Sequence, residues 1–192
     1  MLAVVIGLPA MAAASDNQST VNKSIKIGDN ATIGNVDSVN GAIRIGDNSF
    51  VESIDAVNGS IKLGNDVKVD KGIDAVNGSI SLEPGCEVGG NIESVNGSIK
   101  IANTSVAGHI ETYNGKLRIL QGSEVVGNVV VRKSKGWNWG SKEKRKPVKV
   151  EIGENVVIHG DLIFEHAVEL NLHDTARVGE IIGDEVELLG SS

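Results

Sequence analysis

Apolar and polar residues alternate in short segments that recur along most of the chain. In each segment two isoleucines or leucines flank one polar residue, as in Ile61-Lys62-Leu63. A period of two predicts a β-strand with one buried face. Single apolar positions follow each pair, and Gly, Asn and Asp lie between them, which is the composition of corners. No segment shows the 3.6-residue period of a helix, so the pattern predicts an all-β protein.

The alternating segments belong to a repeat marked by the tripeptide Val-Asn-Gly. The tripeptide or a variant of it recurs at spacings of 18 or 19 residues, beginning at Val21, Val39, Val57, Val76, Val95 and Tyr113. These units cover residues 21–131 without a gap, and weaker copies follow at 148–164, at 170–184 and from Val186. A fixed period of this length is typical of repeat architectures.

Two folds can be built from such units, a meander of hairpins and a solenoid with one coil per unit. Asn-Gly is a hairpin turn signal. In a solenoid, equivalent residues stack about 4.8 Å apart, so each position keeps one kind of residue. The repeated asparagines fit that rule and could pass amide hydrogen bonds along a ladder: Asn22, Asn40, Asn58, Asn77, Asn96 and Asn114. We therefore predict a single-stranded β-helix (β-solenoid) with about 18–19 residues per coil and eight to nine coils, a rod about 40 Å long.

Stacking of the units also predicts two columns of charge on the surface. The acidic column contains Asp37, Asp55, Asp74, Glu93 and Glu111. The basic column contains Lys26, Arg44, Lys62, Lys100 and Arg118, interrupted by Ser81. Two solvated faces that partly neutralise each other are the simpler interpretation. The alternative is Ca²⁺ binding by the acidic column, but the chain lacks a glycine-rich nonapeptide calcium motif, and we predict no metal site.

The N-terminal 14 residues, MLAVVIGLPAMAAA, have the features of a secretory signal peptide. A short apolar stretch is followed by alanines in an A-x-A pattern, which predicts cleavage after Ala14 or after Ala12. No other run is long enough for a transmembrane helix. We expect an exported protein, periplasmic or at the cell surface. The single cysteine, Cys86, excludes an intramolecular disulfide and would be a free, buried thiol.

Residues 132–145, RKSKGWNWGSKEKR, interrupt the repeat. Over 132–149 there are eight basic residues and one acid, a charge of +7, so a net charge of −7 leaves −14 for the rest. A basic stretch with two tryptophans suggests an anionic glycan, lipopolysaccharide or lipid as ligand. The predicted binding residues are Arg132, Lys133, Lys135, Trp137, Trp139, Lys142, Lys144, Arg145 and Lys146. An exposed loop whose tryptophans pack on the solenoid, or a dimer contact, is the alternative.

Candidate catalytic residues are few. His159, His166 and His173 are spaced by seven, which coils of about 18 residues would not stack. The coil length and the Ile27-Gly28 and Ile33-Gly34 pairs suggest the left-handed hexapeptide acyltransferases, but one face of the unit does not keep the hexad. Polysaccharide-cleaving β-helices need carboxylates clustered on long loops, and the chain has one long loop. We therefore predict no enzymatic activity and no cofactor.

The units resemble the bacterial adhesin domains built of repeated V-x-G-S-I sequences. Val57-Asn58-Gly59-Ser60-Ile61, residues 76–80 and residues 95–99 carry the likeness, which covers 21–131 well and 146–192 loosely. The coil length and the G-x-[VIL]-x-G rhythm are also similar to those of the bactofilins, polymer-forming β-helical cytoskeletal proteins. These resemblances imply a β-helix of exported bacterial type and provide no catalytic residues.

The patterns divide the chain into four segments: a signal peptide (1–14), solenoid coils one to six (15–131), the basic Trp-containing insertion (132–145), and the final coils with a C-terminal cap (146–192). The open ends of a solenoid expose strand edges, so end-to-end self-association is expected unless they are capped. The predicted function is a non-enzymatic structural, adhesin-like or scaffold role at the cell envelope. The alternative is a module whose basic Trp loop captures an anionic envelope ligand, with no nucleic acid as partner.

Overall fold

The computed structural model describes residues 16–133 and 146–189, and these residues form β-strands joined by short corners. Neighbouring strands within these ranges pair in parallel, as expected for a coil that returns to the same sheet after each turn. The strands stack as a β-solenoid of about eight turns, without a helix among the described residues. The predicted fold class is therefore confirmed, and the hairpin meander is wrong.

Three sheets run along the rod, and the first two are continuous with each other through two long strands that take part in both. The first contains the N-terminal parts of β3 (Thr32–Asn40) and β5 (Phe50–Asn58), followed by β7 (Lys68–Val69), β10 (Glu87–Val88), β13 (Ser105–Val106), β16 (Glu124–Val125) and β19 (Val157–Ile158). The second contains β1 (Gln18–Thr20), the C-terminal parts of β3 and β5, β8 (Ile73–Asn77), β11 (Ile92–Asn96), β14 (Ile110–Asn114), β17 (Val129–Val131), β20 (Leu162–Phe164) and β22 (Ile181–Ile182). The third contains β2 (Ile25–Ile27), β4 (Ile43–Ile45), β6 (Ile61–Leu63), β9 (Ile80–Leu82), β12 (Ile99–Ala102), β15 (Leu117–Leu120), β18 (Val148–Ile152), β21 (Val168–Leu172) and β23 (Val186–Leu189).

The core is a set of stacked aliphatic columns. In the third sheet Ile61 pairs in register with Ile43 on one side and Ile80 on the other, and all three are fully buried. The polar residue between each apolar pair points outward, as at Lys62. Because each coil encloses a narrow interior, isoleucine, valine and leucine fill it, which accounts for the 3% aromatic content.

The corner between the second and third sheets is built from the Asn-Gly of each unit. The asparagine side chains form a ladder in which each Nδ2 donates to the Oδ1 of the preceding coil, at 2.9 to 3.1 Å from Asn40→Asn22 to Asn114→Asn96. The predicted ladder is confirmed. The following glycine N–H donates to the asparagine carbonyl of the next coil, as from Gly78 to Asn96 at 3.1 Å. A Cβ on Gly78 would overlap the carbonyl oxygen of Gly59, so this corner requires glycine.

The corner between the third and first sheets contains a residue in the left-handed backbone region. Asn30 and Asn48 have φ of 58° and 56°, and Gly85 takes the same place with φ of 84°. Asparagine, aspartate and glycine tolerate this conformation best. The Asp-Asn and Pro-Gly pairs of the sequence therefore mark real corners.

Candidate functional site

The acidic column lies on the outer surface of the second sheet. Cα register pairs Asp37 with Asp55, Asp55 with Asp74, Asp74 with Glu93, and Glu93 with Glu111. The predicted stacking is therefore confirmed. Neighbouring carboxylates at the strand spacing repel each other, by about 1 kcal/mol per pair in water.

Partial burial and this repulsion raise the pKa of two carboxyl groups in the column. The pKa of Asp74 rises to about 6, chiefly because of burial and then because of the charges of Glu93 and Asp55. The pKa of Asp55 is also raised, by burial and by the neighbouring Asp37. No cluster of His, Cys, Asp and Glu within residues 16–133 and 146–189 has the arrangement of a metal site.

Arg132 closes the acidic column at its C-terminal end. Its Nε and Nη2 donate to the two carboxylate oxygens of Glu111, each at 3.0 Å, and its Nη1 donates to Glu165 at 2.9 Å. A two-point contact between guanidinium and carboxylate is among the stronger ion pairs. The same contacts raise the pKa of Arg132. The first residue of the basic insertion thus binds the last carboxylate of the column.

An exposed apolar ridge runs beside the acidic column, two residues further along each strand. Val39, Val57 and Val76 are each 41% exposed, and Val21 is 60% exposed. Val95 and Tyr113 continue the ridge as half-buried side chains. We call the combined surface the acid–valine face: the acidic column Asp37, Asp55, Asp74, Glu93 and Glu111, with the ridge Val39, Val57, Val76, Val95 and Tyr113. In the sequence these valines mark the repeat, and the ridge was not predicted from them.

The basic column lies on the third sheet, away from the acidic column. Lys26, Arg44 and Lys62 are in register. The column ends where Arg118 pairs with Glu151, with its Nε 2.7 Å from a carboxylate oxygen and its Nη2 3.2 Å from the other. Arg118 and Lys116 lower the pKa of Glu151. Because the two columns occupy different sheets, they do not neutralise each other along their length.

A further ladder, at the corner that precedes the second sheet, was not found from the sequence. Here a side-chain atom of one coil accepts a hydrogen bond from a backbone N–H of the next coil. The His109 N–H donates to Asn91 Oδ1 at 2.9 Å, and the Asn128 N–H donates to His109 Nδ1 at 2.8 Å. Asp161 N–H then donates to Asn128 Oδ1 at 3.0 Å. His109 is therefore a structural acceptor in this ladder.

The other histidines are separate. His159 Nε2 lies 2.7 Å from Glu124, whereas His166 contacts the Ala167 carbonyl and His173 contacts Thr175. Cys86 is buried, its Sγ donates to the Gly64 carbonyl at 3.1 Å, and burial raises its pKa to about 11. The thiol therefore fills the core and is not a reactive nucleophile.

Three of the predicted ligand-binding residues lie in the described part of the chain. Arg132 is half-buried in its contacts with Glu111 and Glu165, and Lys133 and Lys146 are exposed where the chain leaves and rejoins the solenoid. A cleft of about 260 Å³ lies where the chain rejoins the solenoid and is lined by Asn114, Gly115, Lys116, Lys146, Pro147, Val148 and Lys149. The remaining predicted residues lie outside the described residues: Lys135, Trp137, Trp139, Lys142, Lys144 and Arg145.

Comparison of the chain with family models, with curated proteins and with solved structures finds no match. The coil architecture is compatible with a β-helix of the bactofilin type. No helix in the described ranges has the length and apolar content needed to cross a bilayer.

Proposed function

We propose that this chain is a non-enzymatic structural rod of the bacterial cell envelope that associates end to end, in a scaffold or adhesin-like role. One observation carries the proposal: in the last coil that the structure describes, apolar side chains of the core columns are exposed. Leu188 is 65% exposed and Ile181 is 40% exposed, although both continue columns that are fully buried one coil earlier, at Leu170 and Leu162. Uncovered core residues at an open strand edge favour addition of another strand layer.

The first coil offers a matching edge. In the described chain, β2 pairs only with β4, so its other edge has no strand partner among these residues. Ile25 begins the column that runs through Ile43 and ends at Leu188, and Ile25 is half-buried. A second copy placed with Ile25 on Leu188 would continue this column without a change of register.

Light scattering over a concentration series tests this proposal. The Leu188→Glu substitution places a charge in the end contact, and we expect it to abolish association of the wild-type chain. Val126→Glu is the matched control, because Val126 is 53% exposed on the side of the rod. Equal association of the wild-type chain and the Leu188→Glu variant would exclude the C-terminal end as the contact.

We also propose that the protein is exported, and that it acts in the periplasm or at the cell surface. The support is the N-terminal sequence, with its apolar stretch and A-x-A pattern. N-terminal sequencing of protein recovered from the cell envelope should give Ser15 or Ala13 as the first residue. Recovery from the cytoplasm with Met1 intact would contradict export.

Capture of an anionic envelope ligand is a second candidate function. Its support is the lysine-lined cleft at the base of the insertion, where Lys116, Lys146 and Lys149 approach the same space. Binding to anionic vesicles or to lipopolysaccharide should fall in the Trp137→Ala/Trp139→Ala variant while the circular dichroism of the solenoid is kept. Unchanged binding would remove this candidate.

A further inference from the structure

The acid–valine face is a regular surface, and its middle part, formed by Asp55, Val57, Asp74 and Val76, is exposed. Its carboxylates and its valines stand in two parallel columns, about 4.8 Å apart along the rod and about 6.5 Å apart along each strand. Asp37, Asp55, Asp74 and Glu93 form no salt bridge with another described residue. An apolar ridge beside unneutralised charge is a surface that fits a partner carrying both cations and apolar groups.

The chain itself contains a segment of that chemistry. Residues 132–146 contain seven basic residues and one acid, together with both tryptophans of the protein. The complementary charge is large, because residues 132–149 carry +7 and the rest of the chain carries −14.

The contact made by Arg132 shows how a basic residue binds this face. Arg132 follows Val131, which pairs in register with Thr112, so it stands in line with Tyr113 at the end of the valine ridge. From there its guanidinium contacts both carboxylate oxygens of Glu111. Along the rest of the face the equivalent places beside Glu93, Asp74 and Asp55 are held by Tyr113, Val95 and Val76, none of which is a cation. These carboxylates are therefore open to cations from another molecule.

We propose that the acid–valine face binds the basic segment, residues 132–146, of a second copy of this chain, so that rods associate side by side. Lysine and arginine side chains would bind the carboxylates as Arg132 binds Glu111, and Trp137 and Trp139 would pack on the valines. This contact is separate from the end-to-end contact and uses neither Leu188 nor Ile25. An anionic envelope ligand would compete for the same basic segment.

Sedimentation equilibrium of the full chain tests the proposal, with Leu188→Glu present in every sample to remove end-to-end association. We expect association at low salt that weakens as the salt concentration rises. Asp55→Asn/Asp74→Asn should weaken it about tenfold, since two exposed ion pairs are lost. Val57→Thr/Val76→Thr, which keeps side-chain shape, should also weaken it.

Glu83→Gln/Glu87→Gln is the matched control, because it also removes two negative charges, but from positions outside the acid–valine face. There Glu83 pairs with Lys62, and Glu87 pairs with Lys68. This control should associate as the Leu188→Glu chain does. A synthetic peptide of residues 132–146, added in excess, should dissociate the complex. A monomer at all concentrations, equal behaviour of the two charge variants, or a complex that the peptide leaves intact would each overturn the proposal. Filament formation by the wild-type chain tests the end-to-end contact independently of this experiment.

Discussion

Asp74 shows how a single position in a stacked column changes stability with pH. Its pKa of about 6 in the fold lies above the ordinary value of 3.8, so the folded state binds a proton more readily than the unfolded state. The contribution of Asp74 to the free energy of unfolding therefore becomes more favourable to the folded state as the pH falls from about 7 to about 4. Asp74→Asn should stabilise the protein at pH 8 by about 1 kcal/mol, allowing for solvent screening, and less at pH 4.5. Urea unfolding at both pH values measures this.

Asp70→Asn is the control for the loss of one exposed carboxylate outside the column. Two results would contradict the claim that repulsion within the column destabilises the fold. One is a loss of stability in Asp74→Asn at pH 8, and the other is an equal effect of Asp74→Asn and Asp70→Asn at both pH values.

Thr112 is a local defect in the second sheet. It lies in the inward column with Ser94, whose hydroxyl donates to the Gly97 carbonyl at 3.2 Å, but its own buried Oγ1 has no hydrogen-bond partner among the described residues. The next coil has Val131 at this place. Thr112→Val removes an unpaired buried hydroxyl and should raise the free energy of unfolding by about 1 kcal/mol. Thr112→Ser serves as the comparison, and greater stability of the serine variant would contradict this explanation.

At the Asn-Gly corner the backbones of successive coils pack closely against each other. A Cβ on Gly78 would overlap the Gly59 carbonyl, whereas a Cβ on Gly28 would meet no atom within 4 Å. Gly78→Ala should therefore destabilise the fold by about 3 kcal/mol or more, because backbone of two coils must separate. Gly28→Ala should change stability by less than about 0.5 kcal/mol. Thermal unfolding of the two variants compares them, and equal effects would contradict the packing of this corner.

Strand parity predicted the core, but the apolar character of the repeat valines did not reveal the ridge. Alternation at Ile61 and Leu63 identified the inward positions of the third sheet, and the 18- or 19-residue period fixed the register. Val57 points outward because it follows inward Ala56. The alternation of inward and outward positions, continued from Ile54 and Ala56, is the signal that could have placed Val57 on the surface.

The ladder through His109 was missed for a different reason. Its members are chemically unlike, since asparagine, histidine and aspartate share only an acceptor atom at the right distance from the backbone. The available signal was position, because Asn91, His109 and Asn128 are spaced by 18 and 19 residues. A lone histidine within a repeat is therefore better compared with its column than with the other histidines.

The ends of the rod differ from each other, and this difference sets the form of any assembly. The first coil contributes Lys23 and Lys26, and the last contributes Glu185, Glu187 and the exposed Leu188. A contact between two unlike ends is heterologous and does not close by two-fold symmetry, so each added copy that continues the coil register extends the rod. End-to-end association of this molecule should therefore produce open filaments.

Negative-stain electron microscopy of the chain from Ser15 onward, across a concentration series, tests end-to-end association most directly. We expect unbranched filaments one solenoid wide that lengthen with concentration, and short particles about 40 Å long for Leu188→Glu. Filaments joined side by side at low salt would add the acid–valine contact to the end contact. Small, uniform particles of the wild-type chain at every concentration would contradict the end-to-end rod and leave capture of an anionic ligand as the function to pursue.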